Sequence, residues 1–130
     1  MGVQSEHITG DGYLLVRLEG MIGSEVVAQA EALLERWLGL CTAAGVARVL
    51  MDAREATINL TLGDRFDLGV IYARSPITAL GVGVIGREQQ APAERFFETV
   101  AANRGARMMV FFDEPAALAW ARGESASGHR

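Results

Sequence analysis

The sequence predicts an α/β fold: a mixed, mostly parallel five-stranded sheet with an antiparallel N-terminal hairpin and four helices. Three observations predict it. Asp-Gly stands between two extended segments near the N-terminus, a hairpin signal. Short apolar runs suited to strands buried on both faces recur at residues 48–52, 80–86 and 107–112. Each run is followed by a segment of helical period, the alternation that parallel pairing with right-handed crossovers requires.

A chain of 130 residues that is 50% hydrophobic and 22% charged holds one domain with a proper core and is not disordered. We expect the domain over residues 1–122 and a fraying Gly/Ser-rich tail over 123–130, with His129 part of that tail. A net charge of −4 argues against a nucleic-acid footprint. The basic residues are all arginine, so chemistry that needs a lysine nucleophile, base or phosphate clamp is excluded. Cys41 is alone, without a partner for a disulfide, and reads as a small buried hydrophobe. Residues 1–10 lack a signal-peptide pattern, and no apolar run approaches the roughly 20 residues that cross a bilayer. A soluble cytoplasmic protein is expected, with no membrane insertion.

The first two strands, residues 3–9 and 13–19, flank Gly10-Asp11-Gly12. In the second, Leu14, Val16 and Leu18 make one apolar face, and Tyr13, Leu15 and Arg17 a mixed one. His7 in the first reads as an exposed histidine without a ligand role. Residues 20–23 form a turn, and Ser24 is placed to cap a helix with Glu25 at its positive end. Val26, Ala30, Leu33, Leu34, Trp37 and Cys41 give that helix a wide apolar face over about four turns.

Residues 48–52 form the central strand, ending in charge at Asp52 and Arg54, and 54–60 read as a loop. In open α/β sheets ligands and partners dock at that carboxyl end. Thr61 with Asp64 three residues on fits a capping box. The inner stripe of the helix it opens is assigned to Leu62, Phe66, Gly69, Val70 and Ala73. That leaves Leu68 and Ile71 on the outer side, where they motivate a partner or dimer surface. Ser75-Pro76 ends the helix.

Gly81, Gly83 and Gly86 spell the spacing of a dinucleotide-binding turn. Here the first two alternate inside a strand, so they admit close packing of a helix instead. Pro92 opens a third helix with Phe96, Phe97, Val100 and Ala101 inward and Glu94, Arg95 and Glu98 outward, and Gly105 stops it. After the last strand, Asp113 caps a short helix with Pro115 in its first turn and Ala117, Leu118, Trp120 and Ala121 packed on the sheet.

This order resembles the STAS-like proteins, specifically the SpoIIAA-like branch. The residues that carry the resemblance are Val49-Leu50-Met51-Asp52, then Ala93-Glu94-Arg95-Phe96-Phe97-Glu98-Thr99-Val100 through Asn103-Arg104-Gly105 into Val110-Phe111. Asp113-Glu114 followed by Ala117-Leu118-Ala119-Trp120 is similar to the closing helix of that branch. The resemblance implies a mixed sheet with helices on both sides, and binding of partner proteins, in some relatives switched by phosphorylation of a serine in an Asp-x-Ser pattern. This chain departs from the pattern. Asp52 matches the acid, but Arg54 stands where the serine would be, and the helix opens with Thr61 rather than Ser-Ser-Gly. Thr57 and Thr61 are the remaining acceptors, and a phosphate on Thr61 would sit at a helix N-terminus.

Catalytic material is sparse. A receiver-type acid cluster would need a lysine, the two histidines lie at opposite ends, and Cys41 has no neighbouring cation. Asp113 is assigned to a cap rather than a metal, and no metal or cofactor is expected. Arg54 and Arg87 either hold an anion or pair with Asp52 and Glu88. The expectation is therefore a non-enzymatic cytoplasmic protein-interaction or regulatory module without the serine switch. Its binding residues would be Asp52, Arg54, Thr57, Thr61, Leu68, Ile71 and Arg87, and its partner an unknown protein or a second copy in a homodimer. The alternative is a carrier or sensor of a small apolar or anionic ligand held between the second helix and the sheet, near Arg54 and Arg87.

Overall fold

The computed structural model describes residues 3–123. Its elements are β1 (Val3–Ile8), β2 (Leu14–Ile22), α1 (Glu25–Ala44), β3 (Arg48–Ile58), α2 (Leu62–Arg74), β4 (Gly81–Ile85), α3 (Ala91–Asn103), β5 (Met109–Phe111) and α4 (Glu114–Ala121). Short 3-10 turns occupy Pro76–Ala79 and Glu88–Gln90. The strands form one five-stranded sheet in the order β1-β2-β3-β4-β5. β1 runs antiparallel to β2 and each later pair is parallel, the architecture predicted. The tail assigned to 123–130 lies, Gly123 apart, outside the described residues, as does His129.

Spatial order follows chain order without a reversal. Crossovers of one hand then place α1, α2 and α3 on the same face of the sheet. There they cover the larger core, which holds Leu14, Val16, Leu34, Trp37, Val49, Tyr72, Val82 and Val110. Among the described residues only α4 lies on the other face, over Leu15, Leu50, Ile85 and Phe111. Strand order that never reverses also leaves no topological switch point, so the crevice expected at the strand ends does not arise.

β3 is the central strand, with Val49 and Leu50 fully buried. It is longer than its apolar run. Glu55 to Ile58, expected in a loop, pair with Glu19 to Ile22, expected partly in a turn, beyond a register shift between Arg17 and Glu19. Gly20 takes φ 75°, open to glycine at little cost, and lets β2 continue. The apolar count marked where both faces are covered, whereas backbone pairing carries on past that point.

The alternating glycines of β4 do what their spacing predicted. A Cβ on Gly83 would stand 2.7 Å from the Trp120 ring, so the indole of α4 lies directly on this strand. Arg48 stacks 4.9 Å over the same indole, and Phe111 meets it at 5.8 Å. Gly69 plays the corresponding part between helices, where a Cβ would be 2.6 Å from Val100, so α2 and α3 pack close. Among the described residues no helix is long and apolar enough to cross a membrane.

Candidate functional site

The packing of three helices on one face leaves a cavity of about 150 Å³ between them and the sheet. Leu18 and Ile22 of β2, Met51 and Ala53 of β3, and Val82 and Val84 of β4 form its floor. Val26, Ala30, Leu33, Leu34 and Trp37 of α1 form one wall, with Leu68 and Tyr72 of α2 and Phe97 of α3 opposite. Small side chains at Ala30 and Ala53 explain part of the space. Two aromatic walls are fixed by hydrogen bonds away from it. Trp37 Nε1 donates to Glu6 Oε2 at 2.5 Å, and the Tyr72 hydroxyl donates to the Arg107 carbonyl at 2.6 Å. Burial pushes the Tyr72 phenol up to about 12, so it stays a neutral donor.

Two charged residues enter this apolar lining, Arg65 of α2 and Glu94 of α3. Their carboxylate and guanidinium are ion-paired, and both residues are buried. Sequence reasoning missed both roles. It placed Glu94 outward and gave Arg65 none. The signal was present: Arg65, Leu68, Gly69 and Tyr72 share a three- and four-residue spacing as regular as that of the stripe chosen.

That choice inverted α2. Leu68, expected outward, lines the cavity, and Ile71 packs in part against the main core. Leu62 and Phe66, expected inward, are 61% and 41% exposed. Gly69 belongs to both stripes, and its close contact with α3 decides the rotation of the helix. The proposed outer surface on Leu68 and Ile71 is thereby corrected, since the outer apolar residues of α2 are Leu62 and Phe66.

The remaining candidates fall into separate places. Asp52 is not at the end of its strand but mid-way along β3, on the α4 face and buried. Arg54 grips it with Nε at 2.9 Å and Nη2 at 2.8 Å, and the same Nη2 reaches Glu114 of α4 at 3.0 Å. Arg17 stands 3.9 Å away. Burial pushes the Asp52 carboxyl up, but the hydrogen bonds and charge of Arg54, helped by Arg17, outweigh it and hold the group below its ordinary value. The bond to Asp52, against the opposing effect of burial and with Glu114 assisting, raises Arg54 further above its already high value. Arg87 donates to the Ala56 carbonyl at 2.6 Å. The two arginines considered for an anion are thus each committed to protein acceptors, Arg54 to Asp52 and Glu114 rather than Asp52 alone.

Thr57 is exposed on β3. Thr61 caps α2 as its spacing predicted: its hydroxyl accepts from Asp64 N–H and its own N–H donates to Asp64 Oδ2, both at 3.0 Å. Ser24 has the N-cap position of α1 but makes no side-chain cap there; its hydroxyl donates to Asp64 at 2.7 Å and ties α1 to α2. The Ser24 bond, then the Thr61 N–H, hold the Asp64 carboxyl below its ordinary value. A phosphoryl group on Thr61 would stand beside that carboxylate, a like-charge contact. Asp113 likewise holds the N-cap position of α4 without a side-chain bond. Cys41 is fully buried, and burial raises its thiol away from the reactive thiolate.

Among the solved structures that resemble this fold are two. One is an uncharacterized protein from the DUF3478 family with a SpoIIAA-like fold, from Shewanella loihica PV-4. It matches with a TM-score of 0.51 and 26% identity over 92% of this chain and 93% of that one. The other is an anti-sigma factor antagonist from Mycobacterium paratuberculosis, with a TM-score of 0.55 and 21% identity over 91% and 93%. The fold is SpoIIAA-like. The identity with the antagonist is low enough that the likeness concerns fold alone. No family model matches the chain, and no curated protein does. On this fold the chain holds Arg54 locked to Asp52 and a charged pair, Arg65 with Glu94, in the lining of the apolar cavity.

Proposed function

We propose that the protein is a non-enzymatic carrier or sensor that holds one small apolar molecule between α1, α2, α3 and the sheet. The observation that carries this reading is the 150 Å³ cavity with its apolar lining. Native interiors pack with few voids larger than a water molecule. A sealed apolar cavity of about this volume takes up benzene; this one is partly open to solvent and offers comparable room. Leu68, one of the residues selected from sequence, contributes to the wall. Catalysis has no comparable support: Cys41 is sealed, and the acids of the α4 face are tied to arginines.

The test is thermal denaturation of the full chain against a panel of small apolar compounds, since binding to the native state alone raises the midpoint with ligand concentration. Toluene should raise it in the parent and leave it unmoved in Leu68→Trp, whose indole fills the space. A flat response across the panel would remove the proposal.

A second reading, the interaction module, is favoured by Leu62 and Phe66, large apolar residues standing in solvent on α2. They stand on a fold that an anti-sigma factor antagonist also has. Changing both to Asp should abolish partner capture or self-association and leave the midpoint of unfolding within about 2 °C. Unaltered association would discard this second reading.

A further inference from the structure

We infer that the occupant of the cavity is an uncharged molecule with one carbonyl or hydroxyl oxygen, and that this oxygen docks on Arg65 beside Glu94. The inference rests on reading the cavity as a ligand chamber. It adds what kind of molecule the chamber selects.

Arg65 is 5% exposed and borders the cavity from α2. A guanidinium presents five N–H donors in a fixed fork and no acceptor. Among the described residues, one of the Arg65 nitrogens has a protein acceptor, Glu94 Oε1. No fully enclosed side-chain nitrogen or oxygen among the described residues lacks a partner. The other Arg65 donors therefore keep accessible surface, and of the cavity's other lining residues only Glu94 and Tyr72 carry a side-chain oxygen, that of Tyr72 being bonded to the Arg107 carbonyl. An oxygen brought by the ligand would take the place of water at these donors with a charge-assisted hydrogen bond in a largely apolar lining, where such a bond is stronger than in water. Glu94 accepts from Arg65 through Oε1, and its Oε2 makes no hydrogen bond to the described residues.

Charge then decides between acceptors. Arg65 and Glu94 cancel. A ligand carboxylate would set a second anion next to Glu94 where the dielectric is low, and it would have to shed its hydration to do so. A ketone, ester or alcohol oxygen takes the spare N–H groups without disturbing the pair. The volume limits the apolar part to about six to eight carbons, since benzene suits a cavity of this size.

The experiment is an NMR titration of the ¹⁵N-labelled full chain at pH 8 with toluene, acetophenone, benzyl alcohol and benzoate, matched in ring and differing in the polar group. Acetophenone and benzyl alcohol should bind at least tenfold more tightly than toluene or benzoate and shift the Arg65 Nε–H signal. The paired replacement Arg65→Met with Glu94→Met should bind toluene as the parent does and lose the tenfold preference. If that variant does not fold, the parent's Arg65 Nε–H signal alone decides. Equal affinities for toluene and acetophenone, with that signal unmoved, would overturn the head-group inference while the carrier reading stands. Benzoate binding most tightly would overturn the uncharged occupant. If none of the four shifts a cavity resonance at saturating concentration, the carrier reading falls and takes this inference with it.

Discussion

On one face of the sheet three helices cover the strands and leave a cavity whose single charged pair, Arg65 with Glu94, is buried. On the other, the eight-residue α4 covers one end, and the uncovered strand surface carries Arg17, Asp52 and Arg54, closed by Glu114. The first face has surplus space and spare hydrogen-bond donors. The second is packed to contact at Trp120, and its charges are already satisfied by one another. Sequence resemblance to partner-binding proteins drew attention to the polar face. The unfilled space lies on the apolar one, so the difference teaches that the proposed site is marked by unmet capacity and not by charge.

The comparison breaks most sharply at the two arginines. Arg65→Met leaves Glu94 buried and unpaired, which should cost about 3–5 kcal/mol. Chemical denaturation would show it as a lower midpoint with an unchanged slope. Replacing the pair together by Met should recover most of that loss, because a well-packed apolar pair is often as stable as a buried ion pair. Arg54→Met on the other face should cost less, about 1–3 kcal/mol, because Arg54 is one-third exposed and Arg17 remains near Asp52. Equal losses at the two sites would erase the distinction drawn between the faces.

Packing gives the next contrast. Gly83→Ala puts a methyl against the Trp120 ring and should cost about 1–3 kcal/mol through overpacking. Ala30→Leu, aimed into the cavity, should do the reverse and stabilise by about 0.5–2 kcal/mol. The same variant should lose toluene binding. A destabilised Ala30→Leu would mean that the space is not available to a side chain, and by extension not to a ligand.

Much of the fold was legible because its signals are local. Asp11-Gly12 forms the turn between β1 and β2, Thr61 and Asp64 form their box, and Gly105 takes the left-handed position after α3. The glycines of β4 were also readable, since alternation inside a strand excludes a phosphate turn. What failed needed distant partners. The extension of β3 to Ile58 depends on β2 continuing beside it, which no property of residues 54–58 announces. The rotation of α2 depends on Gly69 meeting Val100, thirty-one positions away. With apolar residues on two sides of that helix, periodicity alone offered two stripes, and the one containing an arginine was passed over. The site was therefore legible only in its membership: Leu68 was chosen, for a face it does not occupy.

The smallest effect separates the faces by pH. Asp52 has a folded value below its ordinary one, the net result of burial opposed by Arg54 and Arg17. A depressed carboxyl stabilises the fold only while it is ionised. Its contribution is fully present above the unfolded value, about 3.9, and is lost as pH falls through the lower folded value. Arg54, raised and charged throughout, adds no slope of its own in this range. Stability should therefore decline on the acid side of about pH 4, and Asp52→Asn should flatten that limb while leaving the neutral plateau lower. Because the cavity lining is apolar apart from one pair, toluene affinity measured at pH 7 and again at pH 5, above this window, should stay the same. Asp52 stays ionised across that interval, so a fall in affinity over it would trace to another titrating group, one placed at the cavity itself.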